Sequence, residues 1–237
     1  MRIGVSQIYL YDSIKKNRDK IIDYINSAKK KDVNILCFPE TALSGYIFEG
    51  FLTLNFSELE EAIQVIRAVV NQAGLVVILG TPLKQNGVLY NSAVILYPDG
   101  KMLKYHKNNL VSYEELYFNP GKDSVVFDVE GFRFGVMVCR DQNFPGLASN
   151  LKSMGAHGIF ICSAHYYNLI EARMKKEKNN ALPIARAYEN SLYVFKSNAV
   201  GIIKGRISYG NSMIVDPGGV VILRAGETSE EMLVYDI

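Results

Sequence analysis

The run Phe132–Val138 (FRFGVMV) is apolar and rich in β-formers, and it stops at Cys139. Arg140-Asp141-Gln142-Asn143-Phe144-Pro145 follows, supplying turn residues and a proline that can open a helix. A chain punctuated in this way predicts a strand that feeds a helix, with the sulfur on the turn between them, where α/β enzymes present nucleophiles. The thiolate is the reactive form of cysteine, so this reading requires a base and a positive charge near Cys139 in space. The plainer alternative is a small apolar core residue, the usual place of a free cysteine.

Two upstream strands end in a similar way. Val33–Phe38 (VNILCF) closes at Pro39-Glu40-Thr41, with Gly45 soon after. A carboxylate just past the carboxyl end of a strand faces the crevice in which open α/β sheets hold ligands. The strand pair Tyr90–Tyr97 and Lys101–Tyr105, joined by the Pro98-Asp99-Gly100 turn, leads into Lys107. Taken singly, Glu40 reads equally well as a helix cap and Lys107 as part of a solvated basic cluster. Taken together, the three strand ends carry a base, a cation and a nucleophile.

Between these marks the chain alternates strands and helices. Helical spacing of Ile14, Ile21, Ile22, Ile25 and Ala28 predicts a helix from Ser13 to Lys31, and Ser57 with Glu60 forms a capping box for a helix over Ser57–Ala73. Strands are expected at Arg2–Tyr9, Leu75–Thr81, Val125–Val129, Gly158–Ser163 and Leu192–Asn198, with helices over Pro145–Met154 and Asn180–Asn190. The end is β-rich: Ser212–Asp216, Val220–Arg224 and Met232–Ile237. Buried strands with interleaved hairpins predict an α/β fold of two mixed sheets packed face to face, helices outside. Lys107–Ser124 is a long loop of the kind that often carries function.

With 237 residues, 49% of them hydrophobic, and no linker or repeat, the chain is expected to form one domain over residues 1–237. A net charge of +2 gives no electrostatic reason for a nucleic-acid or membrane-surface partner. Cys37, Cys139 and Cys162 are odd in number and lie in or at the ends of apolar strands, which argues for free thiols and a reducing cytoplasm. Met1-Arg2-Ile3-Gly4-Val5 runs straight into a strand pattern without a signal peptide, and no apolar stretch approaches the ~20 residues that span a bilayer.

The chain resembles the nitrilase superfamily of carbon–nitrogen hydrolases. FPETALSGY (Phe38–Tyr46) is similar to its glutamate motif, KYHKNNL (Lys104–Leu110) to its lysine motif and GVMVCRDQNFP (Gly135–Pro145) to its cysteine motif, in the family's order. NSAVILYPDGK (Asn91–Lys101), YFNPG (Tyr117–Gly121), RAYENSLYVFKSNAVG (Arg186–Gly201) and GNSMIVDPGGVV (Gly210–Val221) extend the resemblance over essentially the whole chain.

The resemblance implies a four-layer α-β-β-α sandwich, commonly dimerised through its helical face. It implies Glu40 as general base, Lys107 as transition-state cation and Cys139 as nucleophile, with no metal or cofactor. A second glutamate that positions the lysine is implied too. Counting back from YFNPG favours Glu114 and counting forward from Lys107 allows Glu115; Glu114 is the residue expected in that role. RDQNFP resembles most the branch acting on N-carbamoyl compounds or ω-amides, although Gly146 stands where the family often has an acidic residue. In the substrate pocket, Arg140 is expected either to pair with a substrate carboxylate or to form an internal ion pair with Asp141. Tyr166, in the His165-Tyr166-Tyr167 segment, is expected to form a pocket wall. Two rival readings are a Cys-His-Asn hydrolase using His106 or His157 as base, and a catalytically silent binding member of the same fold.

Overall fold

Short buried runs assemble into two six-stranded sheets. The structure, a computed structural model, describes residues 1–46 and 50–237. In the first sheet the strands are β1 (Arg2–Gln7), β2 (Ile35–Cys37), β3 (Val76–Gln85), β4 (Val88–Leu96), β5 (Met102–His106) and, at the end of the chain, β14 (Glu231–Asp236). Their order is β14-β1-β2-β3-β4-β5, with β1, β2 and β3 mutually parallel and the remaining pairs antiparallel. The second sheet holds β6 (Val126–Val129), β7 (Phe132–Val138), β8 (Gly158–Ser163), β9 (Tyr193–Asn198), β12 (Met213–Val215) and β13 (Val221–Arg224). Its order is β13-β12-β9-β8-β7-β6, with β7, β8 and β9 parallel. β10 (Val200–Ile203) and β11 (Arg206–Tyr209) form a separate antiparallel hairpin.

Strand alternation sends each sheet's side chains to two faces, and both faces are covered. Between the sheets Ile3, Val5, Ile35 and Cys37 pack with Phe134, Val136, Phe160 and Phe195. Each large apolar side chain buried there contributes about 1.5–3 kcal/mol. On the outer face of the first sheet, Leu36, Val77 and Leu79 meet Ile21 and Ile25 of α1 (Ile14–Lys29) and Ile63 and Ile66 of α2 (Phe56–Ala73). On the outer face of the second, Met137, Ile159 and Ile161 meet Ala148 and Leu151 of α3 (Pro145–Ser153) and Ala187 of α4 (Leu169–Asn190). The result is the expected four-layer α-β-β-α sandwich.

Three expectations change. The Ser57–Glu60 box does not cap α2; Asn55 does, its side chain accepting from Glu58 N at 3.2 Å. α4 begins eleven residues before Asn180, capped by Asn168, because its first half exposes Leu169, Ile170 and Met174 to solvent and so has no apolar period to read. The β10–β11 hairpin was not expected from the sequence, and it stands outside both sheets.

The position of Glu40 depends on one glycine. A Cβ on Gly80 of β3 would lie 2.1 Å from the Pro39 carbonyl oxygen and 2.7 Å from Glu40 Cα. The turn carrying Glu40 therefore rests directly on the β3 backbone, an approach only glycine permits.

Candidate active site

Glu40 leaves the end of β2, Lys107 the end of β5 and Cys139 the end of β7, and sheet packing brings all three to one place. Lys107 Nζ donates to Glu40 Oε1 at 2.7 Å and to Glu114 Oε1 at 2.8 Å, and all three side chains are buried. Asn91 on β4 locks the pair of carboxylates, its Nδ2 donating to Glu40 Oε1 at 2.8 Å and to Glu114 Oε1 at 2.9 Å. Val111 N supplies Glu114 Oε2 at 2.9 Å. Glu114 is thus the carboxylate on the lysine, while Glu115, one position along the same short 3-10 turn, is exposed.

The arrangement leaves one oxygen uncommitted. Glu40 Oε2 is buried and has no nitrogen or oxygen donor among the described residues, which leaves it for the Cys139 thiol. Burial raises the Glu40 pKa and the Glu114 charge adds to that, against the pull of Lys107 and of the thiol's hydrogen bond. Two carboxylates facing one ammonium in a dry site favour uptake of a further proton, the property of a base that must later act as an acid. Burial opposes the ammonium of Lys107, but Glu40 and Glu114 outweigh it and hold the lysine charged. Burial and Glu40 push the Cys139 thiol up, with Lys107 pulling the other way. Burial and Glu40 therefore favour a neutral thiol at Cys139.

Cys139 has φ 47°, in the left-handed region that a non-glycine residue occupies at a cost. That turn is held by Asp141. Its carboxylate, buried, accepts from Val138 N at 3.0 Å, from Tyr105 Oη at 2.7 Å and from Asn109 N and Nδ2, each at 2.9 Å. One carboxylate thus ties the cysteine turn to the loop that follows Lys107. Asp141 is therefore not the partner of Arg140, whose Nη1 donates instead to the Leu110 carbonyl at 3.0 Å.

A cavity of about 230 Å³ opens on Cys139, lined by Arg140, Gln142, His165, Tyr167, Lys178 and Asn179 among others. Tyr166 is not one of its lining residues. It is buried in the core behind, its ring centroid 5.7 Å from that of Tyr46, and Tyr167 supplies the wall. His106 and His157 are also outside the lining; His106 bonds Ser92 Oγ at 2.8 Å, and Arg133 N donates to His157 Nδ1 at 3.1 Å. His165 does line the cavity, but burial drives its pKa well down and its Nε2 faces Gln142 at 3.3 Å. Sequence reasoning missed Asn91 and Asp141 as site residues, although both lie inside the segments that carry the resemblance.

It also missed Lys196 on β9. This lysine is 1% exposed, and its Nζ donates to the Asn179 carbonyl at 3.0 Å. Burial pushes its pKa down from 10.5 to about 7. Below about pH 7 the folded state carries the full cost of a buried charge; above it the native lysine releases a proton that the unfolded chain keeps until about 10.5. Native stability therefore rises through that window. Lys196→Met should raise Tm by roughly 5 °C near pH 7, with the gain shrinking toward about pH 10. Melting curves at both ends of the window check this, and a gain independent of pH would contradict it.

Two packed mixed sheets flanked by helices, with a carboxylate, an ammonium and a thiol converging at their strand ends, define a cysteine-dependent hydrolase of the α-β-β-α class. The chain belongs to the carbon–nitrogen hydrolase family, whose sequence model matches residues 2–237. Among its relatives is a nitrilase of Pyrococcus abyssi, 34% identical over 94% of this chain and 83% of the relative. An (R)-stereoselective amidase of Pseudomonas sp is 31% identical over 82% of this chain and 70% of the relative. The solved amidase from Nesterenkonia sp. superposes with a TM-score of 0.90 at 23% identity, covering 100% of this chain and 90% of that one, a likeness of fold.

Proposed function

We propose that the protein hydrolyses small amides or N-carbamoyl compounds through a thioester on Cys139. The observation that carries this reading is the uncommitted Glu40 Oε2, buried beside the thiol and backed by a charged Lys107. Glu40 takes the thiol proton as sulfur attacks the carbonyl carbon. The resulting oxyanion is held by the Lys107 ammonium and the backbone N–H of Arg140. Collapse breaks the C–N bond, and the leaving nitrogen departs with the proton from Glu40. Water then attacks the thioester, giving its proton to the same carboxylate, which returns it to sulfur as the acid leaves. Glu114 and Asn91 hold Lys107 and Glu40 in register throughout. Support also comes from the Nesterenkonia amidase, one mutant of which has been solved with butyramide and another with an acetamide moiety on its active-site cysteine.

We further infer one domain, acting in the cytoplasm as a homodimer joined through the helical face, where Leu169, Ile170 and Met174 of α4 are exposed. Among the described residues no helix is long and apolar enough to cross a membrane.

Amides should be preferred to nitriles, because a planar amide presents its leaving nitrogen to Glu40 whereas a linear nitrile needs a second water addition. The check is kcat/KM for one scaffold offered as nitrile, primary amide and N-carbamoyl amine, on wild type and on Arg140→Ala. A nitrile preferred by about tenfold or more would overturn the substrate class. If Arg140→Ala discriminates as the wild type does, Arg140 has no part in recognition.

A further inference from the structure

The lysine of β9 is enclosed without a counter-charge. Lys196 is buried, has no ion pair among the described residues, and spends one N–H donor on the Asn179 carbonyl at 3.0 Å. Burial with no carboxylate beside it favours the neutral amine, and the pKa falls from 10.5 to about 7. An exposed lysine near neutral pH holds only about one amine in a thousand. Lys196 also lines a cavity of about 20 Å³, together with Lys176, Asn180 and Asn211. That volume takes about one or two waters, or one group of similar size. Among the described residues no carboxylate lines it. Asn180 is buried, and its side-chain amide makes no hydrogen bond among the described residues. Asn211, also buried, donates from Nδ2 to the Tyr209 carbonyl at 2.7 Å and keeps a second N–H on the same nitrogen. A deprotonated amine is a nucleophile, and here it faces walls that offer donors and no acid.

We propose that Lys196 is a carbamylation site, where its side-chain nitrogen adds carbon dioxide and the walls of the cavity hold the resulting carbamate. The nitrogen lone pair forms the new N–C bond, one C=O electron pair moves onto oxygen, and one N–H proton leaves to solvent. An amine and carbon dioxide thus become a carbamate anion and a proton, and nothing is oxidised or reduced. The N–H that remains on nitrogen keeps a donor for the Asn179 carbonyl. The two new oxygens have donors in the Asn180 amide, the spare N–H of Asn211 and the ammonium of Lys176, which also pairs with Glu227 at 2.8 Å. An anion leaves water only where such donors replace its hydration, and a lining without acid spares it repulsion. The modification is selective because exposed lysines are almost wholly ammonium at neutral pH and have no lone pair to offer. It also stabilises the native state by mass action, since the unfolded chain lacks both the lowered pKa and the donors.

The test equilibrates the full chain with isotope-labelled bicarbonate, the source of carbon dioxide, slightly above neutral pH. Triethyloxonium then traps the labile carbamate as its ethyl ester before digestion and mass spectrometry. In wild type the label should sit on the peptide that carries Lys196, and in Lys196→Met it should be lost. Asn180→Asp, which puts a like charge beside the carbamate, should raise the carbon dioxide needed for half-occupancy about 10- to 100-fold. Melting curves supply a readout independent of trapping. At fixed pH and ionic strength, bicarbonate in place of chloride should raise the wild-type Tm and leave that of Lys196→Met unchanged. Wild type without label on Lys196, label spread evenly over exposed lysines, or a half-occupancy unchanged in Asn180→Asp would overturn the site. A Tm that rises as much with acetate as with bicarbonate, with nothing trapped on Lys196, would assign the cavity to a free anion and also overturns it.

Discussion

Cys139→Ala is expected to abolish turnover, by about 10⁵-fold or more, with the fold unchanged. The sulfur is the only group at the site that forms the covalent bond; Glu40, Lys107 and the backbone N–H of Arg140 assist an attack that alanine cannot make. The fold should survive because the left-handed turn is held by the Asp141 carboxylate through Val138 N, Tyr105 and Asn109. Cys37 and Cys162 provide the controls. Their sulfurs lie 3.8 Å apart in the core between the sheets. Alanine at either position should cost about 1 kcal/mol of stability and keep measurable activity. Mass spectrometry of enzyme quenched during turnover should find the acyl group on Cys139 in the wild type. Wild-type kcat/KM in Cys139→Ala would remove the nucleophile assignment.

Glu40→Gln should reduce kcat by at least ~10³- to 10⁴-fold while substrate still binds. Glutamine can keep the Oε1 position, which accepts from Lys107 and Asn91, so the scaffold of the site is preserved. At the Oε2 position it puts an amide that cannot take the thiol proton. Both acylation and deacylation use that oxygen, so the loss should reach the upper end of what a general base supplies. Single-turnover kinetics with an ester analogue separates the two steps, and both should be slow. Near-normal turnover would point to another base, and His165 is the histidine lining the cavity that would have to be tested.

Much of this was legible in the chain. The run Phe132–Val138 is a strand with the expected ends, and Gly158–Ser163 likewise, because both are bounded by sharp changes of composition. Glu40, Lys107 and Cys139 could be picked out because each follows directly on a strand. Glu114 and Glu115 could not be separated by counting. What separates them is a short 3-10 turn in which one points to Lys107 and Val111 N and the other to solvent. Tyr166 is not at the wall where it was expected, and Tyr167 lines the cavity instead, for a related reason. After Ser163 the alternation of a strand no longer applies, and the chain turns Tyr166 into the core. The Arg140–Asp141 pair failed because adjacency in sequence says nothing about burial, and Asp141 had backbone and side-chain donors waiting for it inside. The first half of α4 was hidden because its apolar residues face outward.

The sequence by itself determined which segments become buried strands and which residue types stand at their ends, since periodicity and punctuation act over a few residues. The tertiary structure alone decided that Glu40 and Lys107, 67 positions apart, meet at 2.7 Å, that Asn91 bridges two carboxylates, and that Lys196 is enclosed. Proximity of that kind depends on how the two sheets stack and where Gly80 lets one turn settle onto another strand. The charges then take their protonation states from the burial and the neighbours that this packing imposes.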